Sequence, residues 1–168
     1  MVRSNRSSGP FSCTNTSTIT YDSSASDGSK GPQSIINTSS EVSLCKQQGV
    51  LIVSHPDWAG GMGTSVSRGV PAFEDIQGIL VMTCDMPAAT ADHLSALARS
   101  EKVAASSYGG RNGVPAYFPK DLFPKLLELE GAMGARELLQ FAHGVELPGG
   151  ELDVDTIEDL ARARSIFG

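Results

Sequence analysis

Gly78-Ile-Leu-Val-Met-Thr-Cys-Asp-Met-Pro-Ala-Ala-Thr90 is the stretch from which the fold can be read. Ile79 to Met82 form a short, unbroken apolar run. A run of that length, closed by turn residues, suits a strand buried on both faces of a parallel sheet. Cys84-Asp85-Met86-Pro87 stops it, because Pro87 has no N–H to give to a ladder. Thr90 is placed to cap a helix reaching about Ser100. Ligands of open α/β sheets sit beyond the carboxyl ends of the strands. Asp85 stands there, either to hold a metal or polar ligand or to cap the turn.

Outward from that stretch, the 168 residues suffice for one core and a tail. Hydrophobic residues make up 40% and the formal net charge is -6, with no Lys/Arg cluster. That balance speaks against nonspecific nucleic-acid binding but not against binding a nucleotide. No apolar run approaches the length of a membrane span. Arg3 and Arg6 are followed by no apolar segment of a secretory signal. Residues 1–20 are basic and Ser-rich but lack an amphipathic pattern, so the expected location is the cytoplasm. Cys13, Cys45 and Cys84 are far apart, and His55, His93 and His143 show no metal-ligand spacing.

Residues 1–48 are dominated by Ser and Thr, and are expected to be a disordered segment ahead of a domain over 49–168. Their three Asn-x-Ser/Thr sequons, at Asn5, Asn15 and Asn37, follow from that composition. Before Gly49 lie four basic and three acidic residues, and after it nine and sixteen, so a cation would offset charge on the folded part. Val50 to Val53 form a second strand candidate. In Trp58 to Gly69, Gly60, Gly61 and Gly63 precede Thr64 or Ser65, either of which can cap a short helix to about Ala72. A Gly-rich turn opening a helix is either an anion site or a plain tight turn.

Leu94, Leu97 and Ala98 share one helical face, and Val103 to Ser107 read as a strand. Tyr108 to Gly113 hold three glycines in a six-residue turn, a hairpin or a flexible rim over a ligand. Val114 to Phe118 are extended, with Pro115 favouring an edge strand or a bulge. Helices are expected from Pro119 to about Leu129 and from Ala135 to Phe141, with Leu138, Leu139 and Phe141 inward. Arg136, near a helix start, opposes the dipole, which points to an anionic partner or a rim salt bridge. Val145 to Leu147 form a short strand. Asp153 and Asp155 are two residues apart, on one side of an extended chain, and Thr156 with Asp159 makes a capping-box pattern.

Four segments together resemble a known family. Asp57-Trp58-Ala-Gly-Gly-Met-Gly-Thr-Ser65, Cys84-Asp85-Met-Pro87, Ser107-Tyr108-Gly-Gly110 with Gly113-Val-Pro115, and Leu152-Asp153-Val-Asp155-Thr-Ile-Glu-Asp159-Leu occur in that order. They are similar to the molybdenum-cofactor cytidylyltransferase branch of the MobA-like NTP transferases, from about Gly49 to the end. The resemblance implies an α/β fold: a three-layer, Rossmann-like nucleotidyltransferase sheet. It implies transfer of CMP or GMP from CTP or GTP to a molybdopterin-type acceptor, with pyrophosphate released. Asp85, Asp153 and Asp155 would be the catalytic carboxylates and would hold Mg²⁺, a hard ion suited to carboxylates and phosphates. Gly61, Met62, Ser65, Pro87, Tyr108, Gly109, Gly110 and Gly113 would bind the acceptor.

The family's opening strand and Gly-rich signature, roughly LAAGxSxRMGxxK, have no counterpart here, so the first nucleotide-binding strands are expected to be lacking. Ile157 stands where the family has Pro, and Met86 to Ala89 vary its usual loop. The expectation is an acceptor-side and metal-site unit, with a protein partner over the truncated edge. The alternatives are a non-catalytic binding or regulatory protein that keeps the acceptor pocket, and a relic without function.

Overall fold

Thr18–Ile19 (β1) and Ser34–Ile35 (β2) pair antiparallel. The computed structural model describes residues 18–19, 34–35, 53, 55, 60–73, 76–131 and 134–168. The rest of the segment 1–48, residues 50–52 of the strand expected over 50–53 and the Asp57-Trp58 pair lie outside the described residues; Val53, the last residue of that expected strand, is described and is not in a strand.

Met62–Gly69 (α1) runs into a 3₁₀ turn over Val70–Ala72. Gly61 occupies the cap position. The Thr64 hydroxyl does not cap the helix but donates to the Gly61 carbonyl at 2.7 Å. Gly78–Val81 (β3) follows, then Ala91–Ala98 (α2), which Thr90 caps by accepting from the His93 N–H at 3.2 Å. Ala104–Tyr108 (β4) and Arg111–Pro119 (β5) form a hairpin whose turn is only Gly109-Gly110, at φ 55° and 73°. Positive φ at both central residues is what a tight, right-twisted hairpin requires. The six-residue turn expected at Tyr108–Gly113 is therefore mostly strand. Phe123–Leu127 (α3), Gly134–Leu139 (α4), His143–Glu146 (β6) and Ile157–Phe167 (α5) complete the chain.

The sheet order is β3-β5-β4-β6. β3 is buried along its whole length, as its composition implies, but its described neighbour β5 is antiparallel; the parallel pair is β4 with β6. Burial on both faces comes from helices above and below, not from strand direction. Ile79 and Val81 pack with Val66, Val70, Phe118, Leu126 and Leu139 on one face. Leu80 and Met82 pack with Leu97, Ala98, Ala104 and Tyr117 on the other. The result is a three-layer α/β arrangement. Ile79 and Leu80 are each 1% exposed, burial that contributes about 1.5–3 kcal/mol per side chain.

Of the two positions weighed for Pro115, an edge strand or a bulge, the structure shows the bulge, within the central strand β5. The proline is tolerated there because Ala116 faces Ala105 while Gly113 faces Ser106, so Val114 and Pro115 form a bulge. One expectation is corrected: Phe141 is not inward but 90% exposed, because α4 ends at Leu139 and the chain turns before the helical phase reaches it.

Candidate active site

The loop after β3 and the segment before α5 are brought together by a backbone hydrogen bond from Val154 N–H to the Asp85 carbonyl, 2.9 Å. That bond places Asp85 and Asp153 on one cleft of about 740 Å³. Met62, Ser107, Tyr108, Gly110, Gly113, Arg111 and Arg136 also line it. Met86, Ala88 and Leu147 form a small apolar cluster beside the same loop.

Asp85 Oδ1 is buried and, among the described residues, has no hydrogen-bond partner. A buried carboxylate oxygen left without a partner loses its hydration with nothing in exchange. The Asp153 carboxyl is held above the ordinary carboxylate range, first by partial burial and then by the charge of Asp85 and of Asp155. An unsatisfied oxygen beside a second carboxylate that repels it is a donor set that suits a hard divalent cation. Asp155 is exposed and does not line the cleft; it directly precedes Thr156, the cap of α5. Among the described residues no group of three or more His, Cys, Asp or Glu could hold a metal. The structure thus pairs Asp85 with Asp153 and leaves Asp155 out.

Of the other residues expected at the site, Met62, Tyr108, Gly110 and Gly113 line this cleft, whereas Gly61, Ser65 and Pro87 do not. Gly109 lines a smaller neighbouring cavity of about 380 Å³, its N–H donating to Glu151 Oε1 at 2.9 Å. The anion-site reading of the glycine-rich turn is not met at the start of α1. There the Gly63 N–H donates to the Gly131 carbonyl at 2.8 Å and the Thr64 N–H to the Gly61 carbonyl at 3.2 Å.

The cleft is also lined by two basic residues, Arg111 and Arg136. Arg111 lies over the Tyr108 ring, 5.8 Å from its centroid, a cation–π arrangement. Burial, then the charge of Asp153, raises the Tyr108 hydroxyl above its ordinary value, so at neutral pH it is a donor, bonded to the Val114 carbonyl at 3.0 Å. Arg136 is exposed on α4 and has no ion-pair partner among the described residues, so the rim salt bridge weighed for it is absent there. Asn112 fixes that helix: its amide nitrogen donates to the carbonyls of Leu139 at 3.1 Å and Ala142 at 3.0 Å, closing the helix end against β5. Asn112 and Gln140 also line the cleft and carry no sequence pattern that marks them; Arg136's position against its helix dipole was the one local signal.

The fold is shared with solved structures. A Mycobacterium sp. strain JC1 homolog of Mycobacterium tuberculosis Rv0371c superposes with TM-score 0.60 at 22% identity, over 79% of this chain and 74% of that one. Rv0371c of M. tuberculosis H37Rv, in complex with manganese, gives TM-score 0.57 at 20% identity, over 77% and 75%. Residues 30–147 match the MobA-like NTP transferase domain, and the chain belongs to that family. It is also 39% identical over 115 residues to the purine catabolism protein PucB of Bacillus subtilis (strain 168), across 62% of this chain and 56% of PucB. The chain therefore matches little more than half the length of that relative. Among the described residues no helix is long and apolar enough to cross a membrane.

Proposed function

We propose that this chain carries the metal and acceptor site of a nucleotidyltransferase that moves CMP or GMP from CTP or GTP onto a molybdopterin-type cofactor, releasing pyrophosphate. The observation that carries the proposal is the make-up of one cleft, which Asp85 with its unsatisfied oxygen and Asp153 line together with Arg111 and Arg136. Asp85 and Asp153 would hold Mg²⁺, which when bound offsets charge on the triphosphate and on the departing pyrophosphate. Arg111 and Arg136 bind the anionic end of the acceptor, and Tyr108 and Val114 form the wall along which it lies. Such transfer asks little covalent work of the protein, because positioning and charge stabilisation carry most of it. A cytoplasmic location and a setting in purine catabolism, the latter suggested by the name of PucB, belong to the same proposal.

A second reading is a binding or regulatory protein that keeps the acceptor pocket. It is favoured by the start of α1, where the Gly63 and Thr64 amides are already bonded within the chain and so are not offered to a phosphate. Pyrophosphate release from Mg²⁺, CTP or GTP and a molybdopterin acceptor separates the two. Release that is lost in Asp85→Asn, and whose acceptor KM rises roughly tenfold or more in Arg136→Gln, supports transfer. Acceptor binding without release supports the second reading.

A further inference from the structure

The bulge in β5 leaves two backbone carbonyls, those of Val114 and Pro115, outside the regular pairing with β4. Both are caught by side chains from β4. Tyr108 donates to Val114, and the Ser106 hydroxyl donates to Pro115 at 2.7 Å. Ser106 is 0% exposed, and it is the buried polar side chain of the described core. Its single proton goes to Pro115, so it accepts from its other neighbour, His93 Nε2, at 2.8 Å. That contact fixes the proton of neutral His93 on Nε2. His93 lies on α2, whose capping residue Thr90 follows the Asp85 loop by a few residues. Hydrogen bonds therefore run from α2, through the buried serine, to the bulge that shapes the cleft wall at Tyr108, Gly113 and Val114.

We infer that His93 is a positioning residue for the cleft: without lining it, His93 holds the Ser106–Pro115 contact that sets the bulge and, through it, the placement of Tyr108 and Val114. A packing role alone would need only the bulk of the ring. The positioning role needs the Nε2 donor, because Ser106 is aimed by being bonded on both sides. Loss of the donor frees the hydroxyl to rotate, and the Pro115 carbonyl then loses its fixed partner in a dry environment.

The test uses the full chain labelled with fluorotyrosine and read by ¹⁹F NMR. The tyrosines are Tyr21, Tyr108 and Tyr117, and Tyr108→Phe assigns the resonance of interest. His93→Ala and Ser106→Ala are expected to move the Tyr108 resonance, the double variant to move it no further than Ser106→Ala does, and His93→Gln, which restores a donor, to return it toward the native position. His93→Leu, with bulk but no donor, takes the place of the alanine variant should that not fold. A Tyr108 resonance left in place by every donor-less variant, or shifts that add in the double variant, overturns the inference. A second arm rests on the nucleotidyltransferase reading. In the pyrophosphate assay His93→Ala should raise acceptor KM roughly tenfold and leave that for CTP unchanged, with recovery in His93→Gln. An unchanged acceptor KM counts against the inference. Absence of release from the unmodified chain would count against the nucleotidyltransferase reading instead, and the fluorine measurement still decides the role of His93.

Discussion

Replacing Asp85 by Asn should reverse the order of stability between variant and parent when a divalent cation is added. Without metal, the parent carries an unsatisfied carboxylate oxygen beside Asp153, whose carboxyl is raised partly by the Asp85 charge. Both groups are partly open to solvent, so removing the repulsion is worth at most about 1 kcal/mol. For a chain of this size that raises Tm by roughly 2–4 °C in EDTA. With Mg²⁺ near one hundred times its Kd, the parent gains about 2.7 kcal/mol, or roughly 5–10 °C, and the variant gains little. The sign with pH follows from the raised Asp153. A carboxyl whose folded value lies above its unfolded value of about 3.9 costs nothing below that pH and progressively more as pH rises through the folded value. The metal-free gap between Asp85→Asn and parent should therefore open over that interval and then stay flat. On acidification, the metal-induced shift should fade at a higher pH than an ordinary aspartate would give. Thermal scans in EDTA and across the millimolar range of Mg²⁺ and Mn²⁺ measure both. A parent Tm that does not move with either ion, or that moves equally in Asp85→Asn, would refute the reasoning.

Three further outcomes are expected. In Gly63→Ala the new Cβ would lie 2.5 Å from the Gly131 carbonyl oxygen, a backbone atom that cannot swing away, so chemical denaturation should show a loss of about 1–3 kcal/mol. His93 is held below its ordinary value by burial. Its contribution is therefore present above about pH 6.5 and is lost as pH falls through the lowered folded value, and His93→Gln should flatten the stability profile on that acid side. Thr156→Ala removes one half of a capping box, the bond from Asp159 N–H to the Thr156 hydroxyl oxygen at 3.1 Å, and keeps the other, in which the backbone N–H of residue 156 donates to Asp159 at 3.0 Å. It should lower unfolding free energy by about 1 kcal/mol, with faster hydrogen exchange confined to α5.

Residues 79–81, Thr90 and Thr156 determine their own local structure: a doubly buried strand, a capped helix and a capping box are set by neighbours within a few positions in sequence. Asp85 at the strand's carboxyl end and Asp153 ahead of the last helix are marked in the same way, each by a boundary in the chain beside it. Tertiary structure decided the rest. The antiparallel pairing of β3 with β5, the place of Pro115 in a central strand, the pairing of Asp85 with Asp153 without Asp155, and the place of Arg136 on the cleft all depend on where distant segments meet. Asn112 closing a helix from the adjoining strand, and His93 reaching Pro115 through a buried serine, depend on the same thing. No periodicity encodes these contacts, because register and the satisfaction of a bulge's carbonyls are settled by closing loops and filling a core, not by the chemistry of adjacent residues.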